Sequence, residues 1–158
     1  MSTPNIVLCR IDNRLVHGQV GVKWLNYSDA NLLIVVDDQV AKDPIQQKIM
    51  KLTADNYKVQ IRFFTIQHTA DIIDKAAPAQ RIFILTKTPH EMLELIKKGV
   101  PIKEVNVGNM HYSEGKKQIS SRAYADEKDI EELKEIQSRI DRLYFQDYPV
   151  SPEEKVVL

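Results

Sequence analysis

The chain has 158 residues, 43% of them hydrophobic and 28% charged, with 22 Lys+Arg against 22 Asp+Glu. That length and apolar content suit one domain with a buried core and exclude a disordered segment, while zero net charge excludes the basic excess of a general nucleic-acid binder. No apolar run nears the ~20 residues that span a bilayer, MSTPNIVLCR lacks the basic and apolar regions of a signal peptide, and the single cysteine excludes an internal disulfide framework and suits a reducing cytoplasm.

Ile6-Val7-Leu8 opens the first predicted strand, with Cys9 read as a small buried hydrophobe. The chain then runs through CRIDNRLVHGQVGVKW and resumes as a helix near Gly18, with Val20, Trp24 and Leu25 at helical spacing. Trp24, seven residues past His17, points inward against the sheet. Leu32 to Val36 is a continuous β-type run, and Asp37-Asp38 are read as caps for the next helix in preference to partners of Arg10 or Arg14. Val40, Ile45, Ile49 and Leu52 carry the spacing of that helix's apolar face. Val59-Ile61-Phe63 alternates as a strand, and a short helix begins at Ala70 to Ile73.

Ile82 to Leu85 is a further buried strand. Thr88-Pro89-His90-Glu91 has the form of a helix start, with Thr88 as N-cap and Glu91 three residues on. Met92, Leu93 and Ile96 form that helix's face, and Gly99 stops it. Val105 to Val107 is a short strand ending in Gly108. Asp126 is the predicted N-cap of a helix from Glu127 to Arg139, with Ile130, Leu133 and Ile136 on one side. Leu143 to Phe145 and Tyr148 make a last strand or extended segment, and Ser151-Pro152-Glu153-Glu154 opens a terminal helical turn.

Strand and helix alternate throughout. The pattern predicts a single α/β domain over 1–158, an open, mainly parallel twisted sheet with helices on both faces. Runs such as LLIVV and IFIL suit strands buried on both sides. In that architecture ligands bind beyond the carboxyl ends of the strands. His17, His68, His90 and His111 all follow predicted strand ends, as do Asp37-Asp38 and Asn109. Strand order decides which of them are neighbours, and the sequence leaves it open.

The first turn carries the chemistry. His17 stands just before Gly18, where a helix's free N–H groups and positive dipole end favour an anion. Arg10 and Arg14 have planar forks that match phosphate oxygens. Asp12 can accept a bond from the imidazole or hold an arginine. A neutral imidazole is a nucleophile. Together these parts suit taking a phosphoryl group on a ring nitrogen and passing it on, which needs mainly positioning and charge stabilisation. Lys87-Thr88 lacks the Gly-rich lead of a P-loop, so ATP is not the evident donor.

RIDNRLVHGQV resembles the active-site loop of the IIB components of the mannose/fructose/sorbose class of bacterial sugar phosphotransferase systems, and Trp24 matches the Trp that follows it. The likeness continues through Leu33 to Asp43, VNVGNM and ADEKDIEEL, and leans toward the galactosamine-type branch. It implies that His17 is the phosphorylated histidine and that Arg14 stabilises the transferring group. It implies a phosphodonor IIA protein, membrane IIC and IID subunits, a sugar substrate, and a cytoplasmic carrier peripherally associated with those subunits. Catalytic expectations therefore fall on His17, Arg14 and Asp12, and phosphate-binding or loop-support expectations on Arg10, Gly18, Asn109 and His111. The commoner family form has Asp where this chain has Asn13, which leaves Asp12 as the acid.

The competing reading is a regulatory phospho-binding module of the same fold without sugar transfer. A receiver-like domain phosphorylated on Asp37 or Asp38 is disfavoured, because the first strand ends in arginines. His111 is either a plain loop residue or a phosphate or partner contact; His68 and His90 are read as capping or surface residues, and Lys116-Lys117 as a solvated pair. No two histidines have helical ligand spacing and Cys9 is read as buried, so no metal site is expected; no cofactor is expected either. Whether the chain forms a homodimer stays open.

Overall fold

The computed structural model describes residues 3–155 and 157–158. The side chain of Val20, placed by the sequence on the first helix's apolar face, lies outside the described residues. In chain order the elements are β1 (Asn5–Ile11), α1 (Gly18–Ser28), β2 (Leu32–Val36), α2 (Pro44–Asp55), β3 (Gln60–Phe64), α3 (Ile66–Ile72) and β4 (Arg81–Thr86). There follow α4 (Pro89–Lys97), β5 (Glu104–Val107), β6 (Lys117–Ser120), β7 (Ala123–Ala125), α5 (Glu127–Arg139) and β8 (Arg142–Phe145).

Six strands form one sheet in the order β3-β2-β4-β1-β5-β8, every neighbouring pair parallel. Successive side chains of a strand serve opposite faces. Leu33 and Val35 join Trp24 and Leu25 of α1 and Met50 and Ala54 of α2 in one core cluster. Ile34 and Val36 join Met92 and Leu93 of α4 and Leu133 and Ile136 of α5 in the other. All five residues of β2 are buried, which is why LLIVV shows no polar alternation. The predicted α/β sheet with helices on both faces is therefore present.

The topology positions the site. From β1 the chain runs by way of α1 toward β2; from β5, the neighbour of β1, it runs by way of α5 toward β8. The loops leaving β1 and β5 thus diverge, and a crevice opens between them at the carboxyl edge of the sheet.

Local capping signals hold well. Thr88 and Glu91 form a capping box at α4, and Asp126 caps α5. Asp37 caps the short 3-10 turn at Val40–Lys42 through Gln39 N–H and Val40 N–H, while Asp38 accepts from Ile66 N–H. Neither organises an arginine of the first turn.

Four expectations are corrected. The third helix begins at Ile66, not Ala70, because Thr65 supplies the N-cap, accepting from His68 N–H. Ser151 to Glu154 forms no helical turn; Glu154 instead exchanges backbone bonds with Phe145 on the outer edge of β8. The β6–β7 hairpin falls where no strand is predicted. Finally, Ile45, Ile49 and Leu52 do not pack inward: they are 75%, 61% and 61% exposed, while Met50 and Ala54 face the sheet.

Truncation separates the two kinds of leucine. Leu133→Ala should destabilise by about 2–5 kcal/mol in urea denaturation, and Leu52→Ala by no more than about 0.5 kcal/mol. Equal effects would show that α2 presents a different face.

Candidate functional site

Arg10 is the first surprise of the β1–α1 region. It is 2% exposed, at the carboxyl end of β1. Its guanidinium donates to Asn106 Oδ1 on β5, to Gln146 O at 2.8 Å, to Asp147 O at 3.0 Å and to Asp12 Oδ2 at 3.0 Å. Its face lies 4.7 Å from the Trp24 ring centre, a cation–π contact. With its donors committed inside the protein, Arg10 ties β1, β5 and the segment after β8 together, and it offers nothing to solvent.

Asp12 closes this arrangement. Its carboxylate takes a bidentate fork from Arg14, Nε to Oδ1 at 3.0 Å and Nη2 to Oδ2 at 2.9 Å, and also accepts from the Arg14 backbone N–H. Burial pulls the Asp12 carboxyl upward, but the Arg14 hydrogen bonds and the Arg10 charge outweigh it and hold the group below its ordinary value. The same bonds raise Arg14 above its ordinary value. Asp12 makes no bond to the imidazole; it holds both arginines. Asp147 adds a second carboxylate, with Oδ1 3.6 Å from Arg14 Nη2 and Oδ2 3.4 Å from Arg122 Nε at the β6–β7 turn.

Two glycines matter for different reasons. A Cβ at Gly108 would overlap the Arg10 guanidinium, so glycine is required there by space; that need, more than a turn, explains the residue. At Gly18 a Cβ meets nothing within 4 Å, but φ is +36°, a region that favours glycine.

His17 is the N-cap of α1 in extended conformation, and among the described residues no side-chain cap bond is made there. The first-turn N–H groups therefore remain an anion-ready end. Leu15 stands in the left-handed region at φ 57°, its side chain buried, which is strained for a branched residue. This turn aims Leu15 O at His17 Nδ1, 2.8 Å away. A carbonyl only accepts, so Nδ1 carries the proton. Nε2 is buried without a hydrogen-bond partner among the described residues. The ring faces a small apolar pocket shared with Trp24, Val16 and Gly21.

Asn13 links the two diverging loops. Its Oδ1 accepts from Asn109 Nδ2 at 2.6 Å, and its N–H donates to Asn109 O at 2.9 Å. The side chain acts there only as an acceptor, which an aspartate could also be. His111 is exposed and lines a shallow depression with Asn13, Lys87 and Lys116. It is absent from the residues lining the His17 pocket. His68 and His90 lie in the first turns of α3 and α4, His90 beside Glu132 at 2.8 Å. Cys9 is buried, and burial pushes its thiol up, which keeps it inert. Sequence reasoning missed Asn106, Asp147 and Arg122, whose contacts depend on strand order.

An open α/β domain that gathers arginines and a histidine at a switch-point crevice belongs to the class of anion-handling transfer domains. The chain matches the family described as the PTS system sorbose subfamily IIB component over residues 6–154. It is 54% identical over 156 residues to the N-acetylgalactosamine-specific phosphotransferase enzyme IIB component 1 of Escherichia coli K12, covering 99% of each chain. The crystal structure of the Escherichia coli N-acetylgalactosamine-specific IIB component 1 superimposes with a TM-score of 0.94 at 54% identity, over 97% of this chain and 100% of that one. The mannose-specific EIIAB component of the same strain is 33% identical over 144 residues, covering 85% of this chain and 42% of that one. This chain belongs to the sorbose-subfamily IIB components of bacterial phosphotransferase systems. It is a sugar phosphotransferase component that works with IIA and membrane IIC and IID components.

Removing the Asp12 charge should be costly. Asp12→Asn leaves Arg10 buried without its anion and should destabilise by about 3–5 kcal/mol at pH 7. The folded-state value of Asp12 is depressed, so its contribution is complete above the unfolded carboxylate value of about 3.9 and is lost as pH falls through the lower folded value. The stability gap between the two proteins should therefore shrink in urea titrations below about pH 4. A gap unchanged with pH would mean that charge is not its origin. Gly108→Ala should cost about 1–3 kcal/mol by overpacking against Arg10.

Proposed function

We propose that His17 carries the phosphoryl group, accepting it from a phosphohistidine of the IIA protein and passing it to N-acetylgalactosamine held by the IIC and IID subunits on the cytoplasmic side of the membrane. The observation that carries this reading is the position of His17 as N-cap of α1 without a side-chain cap bond, three residues after the Asp12-held Arg14. The sugar follows the printed specificity of the relatives at 54% and 44% identity.

In the first transfer the donor's N–P bond breaks as a His17 ring nitrogen forms a new N–P bond. In the second, a sugar hydroxyl attacks phosphorus, the His17 N–P bond breaks, and the freed nitrogen can take the hydroxyl proton. The resting ring is not set for either step. Nδ1 is bonded to Leu15 O and Nε2 is enclosed, so the imidazole must leave its pocket before a phosphoryl group can reach it. Gly18, with its permissive backbone, is the residue beside that movement. Arg14 is held on Asp12 through Nε and Nη2, while Nη1 makes no hydrogen bond among the described residues and is the group we assign to the phosphoryl oxygens. Arg10 and Asn109 support the loop. No helix among the described residues is long and apolar enough to cross a membrane, so sugar passage falls to the membrane subunits.

Incubation with phosphoenolpyruvate, the general phosphotransferase proteins and IIA should place acid-labile, base-stable label on the chain, with none in His17→Ala. Label persisting in His17→Ala overturns the reading. Arg14→Lys should slow transfer about a hundredfold with the fold intact. Trp24 is the only tryptophan and shares the His17 pocket, so its fluorescence should change on phosphorylation. Membranes containing IIC and IID should then phosphorylate N-acetylgalactosamine; a labelled carrier that never yields sugar phosphate would favour the regulatory reading.

A further inference from the structure

The outward face of α2 has no role in the chemistry above. Ile45, Ile49 and Leu52 recur at i, i+4 and i+7 and so form one stripe. All three are more than half exposed, opposite the buried Met50 and Ala54. Lys48 and Lys51 flank the stripe, and neither takes part in an ion pair among the described residues. Tyr27 of α1 is 68% exposed in the same helical layer. That layer covers the sheet face on which the His17 pocket lies. The opposite layer is different in kind: α5 carries five carboxylates against three cations and displays none of the exposed large apolar residues.

We infer that the α2 face is a docking surface for the anionic lipid bilayer beside the membrane subunits. Apolar side chains flanked by free lysines are what an interfacial helix presents to acyl chains and headgroups. Charge decides against the other occupants. Cytoplasmic loops of membrane proteins carry an excess of Lys and Arg, which would repel Lys48 and Lys51 and match the α5 face instead. A second copy seated by a two-fold axis would bring these lysines toward their own equivalents. The topology makes the contact useful: α2 begins at the carboxyl edge of the sheet, the edge where His17 stands. Three apolar residues and two lysines hold weakly on their own, and the membrane subunits supply the second point of attachment. The inference rests on the chain's work with membrane components, but not on which residue carries phosphate.

The test is co-sedimentation of the full chain with vesicles. Vesicles of phosphatidylglycerol and phosphatidylethanolamine should bind it, with binding weakened by salt; pure phosphatidylcholine vesicles should not. Lys48→Ala and Lys51→Ala should each weaken binding about fivefold. The double variant I49E/L52E, at exposed helix positions that accept Glu, should lose it while still taking label from IIA at the wild-type rate, which verifies its fold. Failure of the wild-type chain to bind anionic vesicles, or equal binding by I49E/L52E, overturns the inference. So does self-association in sedimentation velocity that I49E/L52E abolishes, since the face would then belong to a second copy. Vesicle binding by a chain that takes no label would retire the carrier role of His17 and leave the surface standing.

Discussion

The Arg10–Asp12 ion pair is the constraint on which the rest of this site depends. Both groups are almost fully buried, so each would be intolerable without the other. The pair survives because its remaining valences are filled. Arg10 finds Asn106 and two backbone carbonyls after β8, and Asp12 finds the Arg14 fork and a backbone N–H. Much else follows. β5 must lie beside β1, position 108 must lack a Cβ, Trp24 must present its ring to the guanidinium, and residues 146 and 147 must return to the carboxyl edge. A buried ion pair gives little net stability, but it tolerates few alternative geometries. Here it sets the loop's shape.

That rigidity contrasts with the residue it frames. Arg14 and Asp12 are locked, whereas His17 is tethered by a single bond to a carbonyl in a strained turn. A carrier that meets a donor protein and later a sugar needs a phosphate-facing arginine in constant position. It also needs an acceptor ring that can be hidden between encounters, since an exposed phosphoimidazole would lose its group to water. In the proposed carrier role, the fixed Arg14 and the singly tethered His17 would divide these demands between two residues three positions apart. Leu15, in the left-handed region with its side chain buried, stands between the two.

Local signals in the sequence proved informative where the physics is local. The capping boxes at Thr88 and Asp126 involve neighbours within four residues, and the double-faced burial of LLIVV is written in its composition. Two kinds of fact were illegible. The fate of Arg10 depends on Asn106, Gln146 and Asp147, roughly a hundred or more residues away, and nothing in an arginine near a strand end distinguishes a buried tie from a phosphate ligand. The spacing of Ile45, Ile49 and Leu52 reports an apolar helix face but not what covers it. Met50 and Ala54 took the inward side instead. A period shows that a face exists; only the fold shows where it points.

Zero net charge concealed an asymmetry of the same kind. The α1–α2 layer and the α5 layer lie on opposite faces of one sheet, the first with exposed aliphatic residues and with Lys48 and Lys51 outside any ion pair among the described residues, the second acidic. Charge balance over the whole chain keeps long-range steering weak, so orientation toward a partner must come from the separation of the two faces and not from the sum. For a protein that hands a group between a free donor and a membrane-bound acceptor, that is the more useful arrangement. A strongly charged carrier would adhere to one partner or the other. A polarised neutral one can be turned by a surface and still be released.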